Sequence, residues 1–216
     1  ASDAQYNTRV GGNAGNSFDG TNAEGNTLIG YDAGTAITGG DLNTAVGSGA
    51  LKANTTGTWN TAVGESALDA NTTAHYNSAF GYGALGANTT GTRNVAVGAL
   101  TLDANTTGSD STAVGAWALG ANTTGFDNTS VGAKSLDANT TGSMNTAVGY
   151  NALTANTTAT GNTAVGHDVL KANTTGTQNV GVGNSSLAAN TTASENVAVG
   201  YAALTANTTG ASNTAV

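Results

Sequence analysis

A pentad of the form Asn-Thr-Ala-Val-Gly, with variants, recurs at every seventeenth position without one insertion or deletion. It begins at Asn26, Asn43, Asn60, Asn77, Asn94, Ser111, Asn128, Asn145, Asn162, Asn179, Asn196 and Asn213. Connections between independent elements drift in length, so a period this constant means that each unit stacks on its neighbour in strict register. Any fold for this chain must repeat one structural unit per period.

Aligned on that frame the consensus is NTAVGxxALxANTTGxx, and its columns sort by chemistry. The fourth column carries Ile29, Val46, Val63, Phe80, Val97, Val114, Val131, Val148, Val165, Val182, Val199 and Val216. The ninth carries Leu51, Leu68, Leu85, Leu102, Leu119, Leu136, Leu153, Leu170, Leu187 and Leu204, with Gly34 as an early exception. These two columns are the expected core. Column five is always Gly, which suits a corner that needs positive φ or a close backbone approach, and column eleven is always Ala. Polar and varied residues fall in columns six, seven, ten, sixteen and seventeen, where water is expected.

A unit of seventeen is too short for two helices and their turns, and Gly, Asn and Thr are poor helix formers. Thr-Ala-Val alternates, is β-compatible, and is bounded by Asn and Gly turn chemistry. The expected fold is therefore all-β, a parallel β-solenoid or β-roll with one coil per seventeen-residue repeat, over residues 26–216. Each coil would rise by one strand spacing, roughly 4.8 Å, so that twelve coils make a rod of about 55 to 60 Å. Residues 1–25 hold an imperfect pentad, Asn7 to Gly11, which begins nineteen positions before Asn26, and they are expected to form an atypical cap or subunit-joining segment. The last repeat stops in mid-pentad at Val216, so either further sequence or docking on the next subunit is expected there.

Stacking puts identical polar residues in rows. Asn54, Asn71, Asn88, Asn105, Asn122, Asn139, Asn156, Asn173, Asn190 and Asn207 each open an Asn-Thr-Thr tract, and a second Asn row opens the pentads. Such amides can bond to one another along the axis as a polar ladder. Asn-Thr-Thr also spells the acceptor sequence for N-linked sugar, and the Thr rows offer hydroxyls for O-linked sugar.

Composition removes several classes of function. The chain has 5 Lys+Arg against 13 Asp+Glu, a net charge of −8 and no Cys, so neither a nucleic-acid footprint nor a thiolate metal site is expected. No apolar run reaches the length of a membrane span, so no membrane insertion is expected. The chain opens at Ala1 without an apolar leader, which leads to the expectation that a signal peptide is absent or removed. Asp69, Asp103 and Asp137 share column ten two coils apart, a separation of roughly 10 Å and too far to share a proton or a metal. His75 and His167 lie in different columns, and no catalytic, phosphate-binding or calcium-binding spacing occurs. No enzyme activity, cofactor or metal is expected.

One Val, one Leu and a few Ala per coil make a thin core, so rods are expected to pack on one another. The small residues of columns two and three, for example Thr44, Ala45, Val95, Ala96, Val197 and Ala198, are the expected partner-facing positions. An ice-binding alternative would use the Asn-Thr-Thr rows, with Asn54 and Thr56 about 7 Å apart on one side. Tyr31, Trp59, Tyr76, Tyr82, Trp117, Phe126, Tyr150 and Tyr201 fall on water-facing columns and can stack on sugars.

The pentads at Asn43 to Gly47, Asn60 to Gly64, Asn145 to Gly149 and Asn162 to Gly166, each followed by x-x-Ala-Leu or a close variant, resemble the head repeats of YadA-like trimeric autotransporter adhesins. They are also similar to repeats in the shafts of phage tail fibres. The resemblance covers residues 26–216; the adhesin repeat is shorter and lacks the Ala-Asn-Thr-Thr-Gly segment. It implies a left-handed coil, a homotrimer, and a place outside the cell, on the cell surface or on a virion. The expected function is then a structural subunit of a stiff fibre, self-associating, with adhesion to surface glycans as a further role.

Overall fold

Asn before Thr-Ala-Val and Gly after it limit each repeat to a short strand, and those strands are what stack. The computed structural model describes residues 5–18 and 22–216. The chain forms two compact units, Ala1–Ser109 and Asp110–Val216. The first holds β1 (Thr8–Val10), β2 (Thr27–Ile29), β3 (Thr44–Val46), β4 (Thr61–Val63), β5 (Ser78–Phe80) and β6 (Val95–Val97). The second holds β7 (Thr112–Val114), β8 (Thr129–Val131), β9 (Thr146–Val148), β10 (Thr163–Val165), β11 (Val180–Val182), β12 (Val197–Val199) and β13 (Thr214–Ala215). No helix occurs among the described residues.

Within each unit every strand pairs in parallel with the next in the chain, and equal columns face one another. Thr44 pairs with Thr61 and Val46 with Val63 in the first unit. Val114 pairs with Val131, and Val131 with Val148, in the second. This is the all-β parallel solenoid that the period predicts. β1 joins the same stack, with Thr8 opposite Thr27 and Val10 opposite Ile29.

The corner after each strand explains the constant Gly of column five. Gly47 has φ 141° and Gly149 φ 133°, a region that residues with a side chain rarely enter. The carbonyl of the next coil's Gly also occupies the place a β-carbon would take. Further on, three positions per coil turn with left-handed backbone, as at Ser66 (φ 55°), Leu68 (φ 52°) and Tyr76 (φ 62°). A left-handed Leu costs about 1 to 2 kcal/mol. Leu51, Leu68, Leu119, Leu136 and Leu153 have no solvent exposure, and burying a Leu contributes about 1.5 to 3 kcal/mol, which offsets that strain.

The expected Leu half of the core is thus in place, and the Val half is not. Column three, not column four, points inward: Ala45, Ala62, Ala96, Ala113, Ala147 and Ala164 are fully buried. Val46, Val63, Val114 and Val148 are half-buried, and Val97, Val131 and Val165 stand 37%, 36% and 36% exposed. A strand alternates its faces, and beside the buried Leu of column nine the inward column three holds small side chains, Ala in most repeats and Ser130 in one. The same alternation corrects the partner-facing pair. Thr44, Val95 and Val197 face outward, whereas Ala45, Ala96 and Ala198 belong to the interior.

Candidate functional site

Within each unit both Asn rows bond from coil to coil, and all but their last members, Asn207 and Asn213, are buried. Asn43, opening its pentad, donates through Nδ2 to Oδ1 of Asn26 at 3.1 Å and to the carbonyl of Gly57 at 2.9 Å. Its own Oδ1 accepts the backbone N–H of Asn60 at 3.0 Å. In the second row Asn71 donates to Oδ1 of Asn54 at 2.8 Å, and Asn88 to Oδ1 of Asn71 at 3.1 Å. The two rows converge on one acceptor, since Gly57 O also takes the amide of Asn54 at 2.9 Å. Asn122, Asn139, Asn156, Asn173 and Asn190 repeat the pattern in the second unit, and Asn207 is its partly exposed last member. Asn105 continues the row in the first unit, donating to Asn88 at 2.9 Å.

That geometry fulfils the ladder and removes N-linked sugar from the rows of the folded coil. A glycosylated amide keeps a single N–H and needs an open path to solvent, whereas these nitrogens are buried and donate twice. It also dissolves the pair expected for ice binding: Asn54 points inward and Thr56 outward, so they do not share a face.

Of the titratable residues, Asp69, Asp103 and Asp137 stand singly on column ten. Burial pushes each carboxyl above its usual range, opposed at Asp69 by the charge of Lys52 and at Asp137 by that of Lys134. Burial also pushes Asp168 upward. Hydrogen bonds from Lys171 at 3.0 Å and Asn151 at 3.2 Å, with the charges of Lys171 and His167, outweigh it and hold this carboxyl below the usual range. His75 is a structural link, its Nδ1 accepting the backbone N–H of Thr58 at 3.0 Å. His167 stacks on Tyr150 at 5.3 Å. No group of three metal-ligating side chains forms among the described residues, and none of their helices is long and apolar enough to cross a membrane.

Several expected sugar-stacking aromatics are engaged with neighbours. Trp59 and Tyr76 lie parallel at 5.0 Å and 2°. Lys134 sits over Trp117 at 5.9 Å. A notch of about 310 Å³ is lined by Tyr6, Glu24, Gly25, Asp41 and Leu42.

What remains in both units is an outward sheet face made by columns two and four. It carries Thr44, Val46, Thr61 and Val63 in the first unit, and Thr112, Val114, Thr129, Val131, Thr146, Val148, Thr163 and Val165 in the second. Neither column holds a charged residue in any of the twelve pentads, although the chain carries a net charge of −8. The charges sit on turning columns, as at Glu65, Asp69, Arg93, Lys134, Asp168 and Glu195. The signal for this face was present in the sequence. Column four accepts Ile29 and Phe80 beside Val, and such tolerance of volume marks open space, whereas column three is held to Ala, Ser or Gly in every repeat after the first.

Compared with known proteins, the chain matches no family model, no curated protein and no solved structure.

Proposed function

We propose that the chain is a structural, non-enzymatic subunit of a fibre outside the cell or on a virion, in which copies pack through the Thr-x-Val face as a homotrimer or larger filament. The observation that carries this reading is a half-exposed sheet face without charge on a chain with a net charge of −8. Copies that approach through the turning columns bring carboxylates together. Copies that meet through columns two and four bury Val and Thr methyls against one another instead, which is the usual fate of a contiguous apolar surface.

Stiffness supports the same reading. Within each unit successive coils are tied together by a ladder of backbone bonds and by buried amides, and the sequence contains no Pro. The turning columns, which vary from coil to coil, then display exposed side chains such as Tyr31, Tyr82 and Tyr201 toward a surface glycan.

Electron microscopy and sedimentation of the purified protein test the assembly. Fibres or trimers are expected, and Val131→Lys with Val165→Lys should release monomers whose circular dichroism is unchanged. A wild-type chain that stays monomeric at high concentration would overturn the reading. Binding on a glycan array checks the adhesive role separately.

A further inference from the structure

Column fourteen is Thr in ten successive repeats: Thr56, Thr73, Thr90, Thr107, Thr124, Thr141, Thr158, Thr175, Thr192 and Thr209. All ten are exposed, and none of their hydroxyls bonds to another protein group. The other constant polar columns each have an internal reason for their identity. Both Asn rows form the ladders described above. The Thr of column thirteen donates its hydroxyl to the carbonyl of the next coil's Thr, as Thr55 does to Thr72 at 3.1 Å and Thr140 to Thr157 at 3.1 Å.

Copying of repeats does not account for the row, because other exposed columns in the same repeats have diverged. Three positions further along, column seventeen runs through Trp59, Tyr76, Arg93, Asp110, Asp127 and Met144. Thr and Ser also exchange freely elsewhere, with Thr58, Thr92 and Thr160 sharing column sixteen with Ser109, Ser143 and Ser194. Column fourteen never changes to Ser. Strand propensity is no explanation either, since these residues lie in bends rather than strands.

We propose that the column-fourteen threonines are the acceptors of an O-linked sugar coat, one glycosyl group per coil. Each Oγ1 attacks the anomeric carbon of a nucleotide-activated sugar. The bond from that carbon to the phosphate breaks, the nucleoside diphosphate leaves, and the hydroxyl proton passes to a base of the transferase. A coat added coil by coil is indifferent to the uneven neighbours in column seventeen, whereas a flat partner resting on the row is not. The methyl on Cβ restricts χ1, which holds successive sugars in one direction and gives Thr its advantage over Ser.

Charge selects a neutral group. Phosphates of about −1.5 to −2 on hydroxyls roughly 4.8 Å apart would repel by about 2 to 3.5 kcal/mol per neighbouring pair even in bulk water.

The test is peptide mass mapping of the protein isolated from its natural source. Cleavage after Lys52, Arg93, Lys134 and Lys171 separates segments 53–93, 94–134, 135–171 and 172–216, with three, two, two and three of these threonines respectively. Mass increments of whole sugar residues, lost by alkaline elimination and localised to column fourteen, are expected. Unmodified segments, increments of acetyl or phosphate, or sugar confined to other columns would overturn the proposal. Replacing Thr141 and Thr158 with Ala should remove two increments from segment 135–171 and leave the melting temperature of the unglycosylated, recombinant protein unchanged.

Discussion

Cγ1 of Val169 stands 2.5 Å from the point where a β-carbon on Gly181 would begin, so the two positions share one volume. Val169 occupies column eight, where Ala is usual, and Gly181 occupies column three of the following repeat, where Ala is also usual. The methyls missing from one wall are supplied by the other. Gly181→Ala alone should therefore overpack the coil and cost about 1 to 3 kcal/mol. Val169→Ala alone should leave a cavity and cost a similar amount. The double substitution restores the common Ala-Ala pairing and should lose much less stability than the sum of the single losses in a denaturant double-mutant cycle. Additive losses would mean that the two side chains do not compete.

Column eight also separates two buried serines by their partners. Ser135 Oγ donates to the carbonyl of Gly132 at 2.8 Å and pairs with Ser130 Oγ, which reaches the carbonyl of Ser135 at 2.8 Å. Ser186 Oγ is equally buried and has no partner. Ser186→Ala should raise stability by about 1 kcal/mol, because an unsatisfied hydroxyl is exchanged for the residue most repeats carry. Ser135→Ala should lower it by a similar amount. Melting temperatures moving in the same direction for both variants would contradict this assignment.

Stacking, register and the two amide rows were legible because identical residues at a fixed period must occupy identical environments. Which wall each column faces was harder to read. In Thr-Ala-Val every residue is small or apolar, so the alternation has no strong polar member to mark the outside, and the larger Val was assigned to the core in place of Ala. The left-handed Leu of column nine also left no sign, since Leu is not a turn residue and only its burial holds it there. The exception at Gly34 becomes intelligible in three dimensions. Leu28 and Ile37, at columns that otherwise hold small or polar residues, approach within 2.8 Å of where a Gly34 side chain would begin and fill the space of the missing Leu.

Glycines with positive φ should differ in tolerance according to what lies opposite. At Gly149 a β-carbon would meet the carbonyl of Gly166, and φ is 133°. Gly149→Ala should cost more than about 3 kcal/mol, combining backbone strain with a clash against an atom that cannot move aside. At Gly49 φ is 69° and the nearest atom to a β-carbon, Ser66 Oγ, is 3.6 Å away. Column seven elsewhere carries Ser66 and Asn151, each with φ 55°. Gly49→Asn should therefore be nearly neutral. Urea midpoints of the two variants check the contrast, and equal losses would sink it.

Acid stability should depend on two opposed sets of carboxylates. Oδ1 of Asp103 lies 2.9 Å from where a side chain on Gly86 would begin, and this packing over the preceding coil is part of the burial that raises its pKa. Such a group binds its proton more tightly in the folded chain than in the unfolded one, where the value is about 3.9. Its contribution is therefore fully present below the unfolded value and lost as pH rises through the folded one. Asp103→Asn should raise stability near neutral pH and change it little below about pH 4. Asp168 has the opposite sign: its lowered pKa gives stability above the unfolded value, lost as pH falls through the folded one. Asp168→Asn should consequently lower stability near neutral pH and have less effect in acid. Denaturant titrations across this range read both signs directly, and a destabilised Asp103→Asn variant at neutral pH would refute the burial of that carboxylate as the cause.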